Sequence, residues 1–119
     1  MKVRCIALLD SSGMRVERSG WVKLGGVYHV LGIWVEPGQT SLRLIGENPT
    51  PALFQPEMFE VVRSTIPSSW VITSPQPGCI ELGPASWGRP GFWEKYFDRE
   101  PEAVACFEEE RKKIVSFQP

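Results

Sequence analysis

The side chains that could catalyse a reaction are few and far apart in this 119-residue chain. The only imidazole, His29, lies inside the apolar stretch VYHVLGIWV, which is typical of a structural histidine and not of a general base. Cysteines are odd in number and widely spaced, which predicts neither a disulfide framework nor a zinc site, and no local motif marks a nucleophile; they are Cys5, Cys79 and Cys106. We therefore expect no catalytic residue, no metal, no cofactor and a reducing, cytoplasmic location.

Acidic runs and glycine patterns do not indicate an enzyme either. Three consecutive acids stand at positions 108–110, but neighbouring residues of a helix point in different directions, so a solvated surface is expected there. The spacings GxxxxGK and GxGxxG, which build phosphate-binding loops, do not occur. The sequence thus favours a non-enzymatic binding protein over an enzyme.

Charge is distributed unevenly along the chain. The formal net charge is −1, yet residues 1–46 carry six basic and three acidic side chains, whereas residues 47–119 carry seven basic and eleven acidic ones. A basic first part and an acidic second part favour orientation toward a charged partner. The acidic part is suited to a basic protein.

Short strands with period-two patterns occupy the first two thirds of the sequence. We predict strands in VRCIALL (3–9), VYHVLGIWV (27–35), TSLRLIG (40–46) and FEVV (59–62), with one helical turn at PEMF (56–59). Pro37 and Gly38 suit a type II turn. In the third strand, alternation predicts that Leu42 and Leu44 face the core and that Arg43 faces outward.

The last third combines a further hairpin with helical periodicity. SSWVIT and CIEL are predicted to pair through the turn SPQPG, and the period changes to that of a helix near Gly91. Trp93, Tyr96 and Phe97 share one helical face, and we expect Trp93 and Phe97 to be largely buried where this helix docks on the sheet. Asp98 can cap the following helix, whose first turn accepts Pro101.

These elements predict a mainly β, α+β fold in a single domain, 1–119. Residues 1–66 are expected to form an SH3-like small antiparallel barrel, in which DSSGMRVERSGWVKLGG is the long loop after the first strand. Residues 67–119 are expected to add the hairpin and one or two C-terminal helices packed on the barrel. Because Asp10 interrupts the first apolar run early, we expect no signal peptide and no membrane association.

Three segments carry a resemblance to a known group of proteins. At GVYHVLGI, LRLIGENPTPALFQPEMFEVV and PGFWEKYFDREPEAVACFEEERKKI, the chain resembles small bacterial SH3-like-barrel proteins with an α-helical C-terminal tail, over about residues 24–114. Such proteins are found near phage and polymorphic-toxin genes, and some are immunity proteins. The resemblance implies an immunity protein that neutralises a cognate toxin by direct binding; its motifs are structural, so it implies no catalytic residue.

The predicted binding residues follow from charge and exposure. Four acidic side chains of the second half are expected to meet a basic toxin domain: Glu94, Asp98, Glu108 and Glu109. Trp21 and Trp34 are the next candidates. The alternative function is a phage or mobile-element accessory module that binds nucleic acid through the basic loop 13–25, where Arg15, Arg18 and Lys23 surround Trp21. The sequence leaves the oligomeric state open.

Overall fold

The computed structural model describes residues 1–117, which form seven strands, two short 3₁₀ turns and two α-helices. The strands are β1 (Lys2–Cys5), β2 (Val27–Glu36), β3 (Gln39–Leu44), β4 (Ala52–Phe54), β5 (Phe59–Arg63), β6 (Val71–Thr73) and β7 (Ile80–Gly83). The 3₁₀ turns are Pro56–Met58 and Ala85–Gly88, and the helices are α1 (Phe92–Phe97) and α2 (Pro101–Ser116). Each predicted strand, the helical turn before β5 and the switch to helix near Gly91 are present, but the first strand ends at Cys5 and not at Leu9, and β6 begins at Val71 and not at Ser68.

The ten-residue strand β2 is the centre of the sheet. Its first residues pair with β1, and its remainder lies between β3 and β7. Strand β1 also pairs with β5, β3 with β4, and β7 with β6, all antiparallel. The predicted mainly β, antiparallel fold with C-terminal helices is therefore confirmed. Within residues 1–117 no pairing joins β4 to β5, so the sheet is open, and the predicted closed barrel is not confirmed.

One face of the sheet covers the principal hydrophobic core. Val3, Val30 and Leu44 are completely buried there, and period-two alternation explains why, since apolar residues recur at every second position of their strands. The tight turn between β2 and β3 is as predicted: Gly38 has a φ of 77°, a conformation that glycine adopts without strain. The strands are thus fixed in register by both a buried face and a defined turn.

The opposite face of the sheet is also covered in part, which corrects the prediction for Arg43. Arg43 does point away from Leu42 and Leu44, but it is buried and not exposed to solvent. The second 3₁₀ turn and α1 pack over this face, with the Trp93 ring against Arg43. Alternation in the sequence sets the side to which a residue points, but not what lies on that side.

The helices pack around Phe107, which is fully buried in α2. Its ring stacks on Trp87 at a centroid distance of 5.0 Å and lies 4.6 Å from the Tyr96 centroid. Pro101 occupies the first turn as predicted, but Glu100 and not Asp98 is the N-cap residue. Asp98 instead ends α1, donating its backbone N–H to the Glu94 carbonyl. Because the link between the helices is short, Asp98 ends α1 and is not available to cap α2.

The prediction that Phe97 is largely buried is wrong. Its side chain is 52% exposed, whereas Trp93 on the same face is partly buried against the core. Trp93 and Tyr96 contact Phe107 of α2, but Phe97 is the last residue of the six-residue α1 and lines an open cleft beside Arg99 and Val104. Phe97 contacts the rings of Trp93 and Tyr96 but not that of Phe107, and it therefore stays half exposed.

Candidate binding site

A cleft of about 410 Å³ lies on the second face of the sheet, and we call it the α1 cleft. Its floor consists of side chains from β2 and β3. One wall is the segment from Arg89 through the first residues of α1, and the other is the β6–β7 turn at Pro75 and Gln76. The elements that position the cleft are therefore the sheet centre and the C-terminal extension together.

A buried ion pair forms the base of this cleft. Arg43 Nε donates a hydrogen bond to Glu81 Oε1 at 3.2 Å, and the two side chains are only 6% and 3% exposed. The Arg43 guanidinium carbon lies 3.8 Å from the centre of the Trp93 ring, within the range of a cation–π contact. One guanidinium thus ties β3 to β7 and to α1.

Gly32 explains how Arg43 and Glu81 reach one another across β2. Strands β3 and β7 flank β2, and Gly32 lies opposite Arg43 in the register. A Cβ atom at position 32 would be 3.7 Å from Glu81 Oε1 and 3.2 Å from the Leu82 carbonyl oxygen. Because glycine leaves this space open, the two long side chains meet above the middle strand.

Burial controls the electrostatics of the pair. It raises the pKa of Glu81, against the opposing effect of Arg43 and of the nearby Trp93 indole, which favour the charged carboxylate. Burial likewise lowers the pKa of Arg43, while Glu81 raises it. The Trp93 indole is near enough to favour the charged form of Glu81, but within residues 1–117 neither Glu81 Oε2 nor Trp93 Nε1, both buried, makes a hydrogen bond of normal distance and angle. The pair is therefore strongly desolvated and incompletely satisfied.

The rim of the α1 cleft combines an aromatic ring with carboxylates. Trp34 Nε1 donates to Glu36 Oε2 at 3.2 Å, so that ring and carboxylate are held together. Glu94 is exposed in the first turn of α1, and Arg89 is exposed just before that helix. On the floor, Gln39 Nε2 donates to Ser41 Oγ at 3.3 Å. The rim is thus accessible to polar and cationic groups.

A second cleft, of about 390 Å³, adjoins the first beside the long loop. Both clefts share Gln39, Ser41 and Leu53, so together they form one groove along the face of β3 and β4. Trp21, 41% exposed, lines the second cleft and packs edge-on against Phe54 at 6.4 Å. We use "the groove" for these two clefts together.

Three of the six predicted binding residues line the groove. Trp34 and Glu94 both line the α1 cleft, and Trp21 lines the adjoining one. The others are outside it: Asp98, Glu108 and Glu109. Glu108 Oε2 accepts hydrogen bonds from Arg111 at 2.8 and 3.1 Å, and Glu109 lies 3.8 Å from Lys113. Cations of the same helix therefore partly neutralise these two acids.

Hydrogen bonds of Asp10 hold the start of the long loop. Gln55 Nε2 donates to the Asp10 carbonyl at 2.8 Å, and the Asp10 carboxylate accepts from the backbone N–H of Ser12 and of Met14. Lys23 lies 3.9 Å from Glu47. Arg15 and Arg18 are exposed. All three basic side chains predicted for nucleic-acid binding thus face solvent, and 70% of the Lys23 side chain is exposed.

Sequence reasoning does not identify four residues of this site: Arg43, Glu81, Gln39 and Ser41. A signal for the first two was present: Arg43 and Glu81 are charged residues inside apolar strands, and Gly32 interrupts a third strand. Glycine inside a strand often marks close approach of another group. Pairing of β2 with both β3 and β7, which joins these three signals, is a long-range feature that local patterns do not specify.

No family model, curated protein or solved structure matches this chain. Neither helix in residues 1–117 has the length and apolar character needed to cross a bilayer.

Proposed function

We propose that this chain is a non-enzymatic binding protein that recognises a basic partner protein through the groove. The observation that carries the proposal is the composition of its rim, where Trp21 and Trp34 are accessible beside the carboxylates of Asp10, Glu36 and Glu94. Exposed tryptophans are common anchors of protein interfaces, and carboxylates around them favour a cationic partner. Most concretely, the partner is a bacterial toxin domain and the chain its immunity protein.

Two features support this proposal at the level of the fold and its location. The order β1, long loop, β2–β3–β4, 3₁₀ turn and β5 is the order of an SH3-like barrel, and we propose that class for residues 1–66. Such folds carry many unrelated functions, so the groove and not the fold carries the argument. All three cysteines are free thiols, in keeping with a cytoplasmic protein.

The test uses the basic toxin domain encoded nearest to this chain. Equimolar chain should abolish the activity of that domain, and stopped-flow mixing should show association that slows as salt is added. The double variant Glu36→Gln/Glu94→Gln should associate more slowly than the native chain. The matched variant Glu108→Gln/Glu109→Gln removes the same charge outside the groove, where Arg111 and Lys113 already offset it, and should have a smaller effect.

Two results would contradict the proposal. One is full toxin activity at a molar excess of chain. The other is salt-sensitive binding of DNA or RNA that is lost in Arg15→Gln/Arg18→Gln, which would favour the alternative nucleic-acid module. That alternative is supported by the exposure of Arg15, Arg18 and Lys23 in the loop that also carries the exposed Trp21.

A further inference from the structure

Arg43 has hydrogen-bonding capacity that the protein itself does not use. Its Nε–H is bonded to Glu81, but Nη1 and Nη2 donate to no side chain or backbone carbonyl in residues 1–117. Neither nitrogen is fully buried. Because Arg43 lines the α1 cleft, both nitrogens can be reached from that cleft. A side chain that is otherwise 94% buried therefore presents its outer edge to the cleft.

The geometry of that edge suits a carboxylate. Two terminal N–H groups of a guanidinium lie in one plane and match the two oxygens of a carboxylate in a bidentate pair. Here Trp93 covers one face of the guanidinium and Glu81 fixes Nε, so the plane is already oriented. Such preorganisation reduces the entropy that a ligand loses on binding.

Charge around the cleft indicates what accompanies the carboxylate. Glu81 neutralises Arg43, so an added carboxylate needs a further cation, and Arg89 lines the same cleft. At the rim, Glu36 accepts a hydrogen bond from the Trp34 indole and Glu94 lines the wall formed by α1, an arrangement that attracts a positive group. A small dianion such as phosphate would be repelled by these two acids, whereas a carboxylate with a neighbouring cation would not.

We propose that the α1 cleft is a carboxylate-binding site, in which Arg43 receives the carboxylate of a ligand and Trp34, Glu36 and Glu94 receive a cationic group next to it. The carboxylate comes either from the partner protein, as an Asp or Glu side chain or a chain end, or from a free amino acid derivative. Only the first of these sources rests on the proposed function.

The test compares two probes that differ only in the carboxylate. Nα-acetylarginine and Nα-acetylargininamide are titrated into ¹⁵N-labelled protein, and the indole N–H signals of Trp34 and Trp93 are followed. A bidentate charge-assisted pair predicts that the acid binds about tenfold more tightly than the amide, or better. Equal affinities for the two probes would overturn the proposal.

Two variants locate the binding group. Arg43→Met/Glu81→Leu replaces the whole pair by apolar side chains, a change that buried ion pairs often tolerate without loss of stability. The folded variant should bind acid and amide equally, whereas the surface control Arg15→Met should retain the native preference. Retained preference in the double variant would also overturn the proposal.

The same variants separate this inference from the proposed function. Equal affinity for the two probes together with salt-sensitive binding of the toxin domain rejects the carboxylate site and leaves the groove interface standing. Preference for the acid together with unchanged toxin binding by Arg43→Met/Glu81→Leu supports the site and assigns it to a free carboxylate. If Arg43→Met/Glu81→Leu loses both the preference for the acid probe and the binding of the toxin domain, the carboxylate is supplied by the partner protein.

Discussion

At the scale of single residues, the buried Arg43–Glu81 pair is the feature that the sequence predicts least well. The direction of Arg43, away from Leu42 and Leu44, follows from alternation. Its burial does not, because Glu81 of β7 lies 38 residues further along the chain and α1 lies further still. The partner of this buried charge comes from a distant segment, and a local pattern does not name it.

Removing one member of the pair should destabilise the protein strongly. Arg43→Ala leaves the Glu81 carboxylate buried without its cation and opens a cavity under Trp93, so we expect the free energy of unfolding to fall by about 3 to 5 kcal/mol. Urea denaturation followed by far-UV circular dichroism measures this. Arg15→Ala, at an exposed position of the loop, is the control and should change stability by less than about 0.5 kcal/mol. A similar midpoint for both variants would contradict the burial of the pair.

His29 should make stability depend on pH. Burial, with the positive charges of Lys2, the chain amino group and Arg63, lowers the pKa of His29 below its ordinary 6.5. The unfolded chain therefore binds more protons than the native one between the two pKa values. Stability that is fully present above pH 6.5 is then lost as the pH falls through that window.

Substitution of His29 isolates this contribution. The urea midpoint of the native protein should decrease between pH 7 and pH 5 more steeply than that of His29→Gln. The Met1 amino group, whose burial lowers its pKa from 8.0, acts in the same direction at higher pH and is common to both proteins. An imidazole pKa above 6.5 in an NMR titration would show that the environment of His29 is wrongly described.

At the scale of elements, the types and order of strands and helices follow from the sequence, whereas the end of the first strand, at Cys5 and not Leu9, and the burial of the α1 rings do not. Spacing places Trp93, Tyr96 and Phe97 on one face, and this is correct. Which of them is buried depends on where α2 turns back, and that is fixed by the link from Asp98 to Glu100 and by the contacts of Phe107. Helical periodicity predicts which residues share a face of α1, but not how many of them are buried.

Two substitutions in α1 should therefore differ in effect. Trp93→Ala removes a ring that contacts Trp87, Phe107 and Arg43, and we expect a loss of about 3 to 5 kcal/mol of unfolding free energy. Phe97→Ala removes a half-exposed ring and should cost about 1 kcal/mol or less. Chemical denaturation of both variants provides the comparison. Equal losses would mean that Phe97 is packed as tightly as its neighbour.

At the scale of the whole molecule, the two parts that the sequence distinguishes share one sheet. The sequence predicts the strands and the loop of residues 1–66, and it also predicts the later hairpin and helices. It does not predict that β7 pairs with the edge of β2 opposite to β3. Nor does it predict the groove, whose walls come from both parts. Local strand patterns predict a closed barrel, whereas the tertiary arrangement leaves β4 and β5 unpaired with one another.

Residues 1–66 should accordingly not fold by themselves. Without residues 67–117, β2 loses its pairing with β7, and the face that carries Arg43 loses its cover of Trp87 and Trp93. We expect a fragment of residues 1–66 to show no cooperative thermal transition and poor amide dispersion in NMR. Residues 1–117 should show a cooperative transition and wide amide dispersion. Cooperative unfolding of the short fragment would identify it as an independent domain.

The position of β2 between β3 and β7 also has a consequence for synthesis on the ribosome. Strand β3 follows β2 after a two-residue turn, but β7 ends only at Gly83. At about 5 to 20 residues per second, translation takes on the order of a few seconds to supply that strand. During this interval the nascent chain exposes an unpaired edge of β2 and an uncovered polar face, so a ribosome pause before Gly83 would prolong the stage at which the chain can pair with the wrong strand.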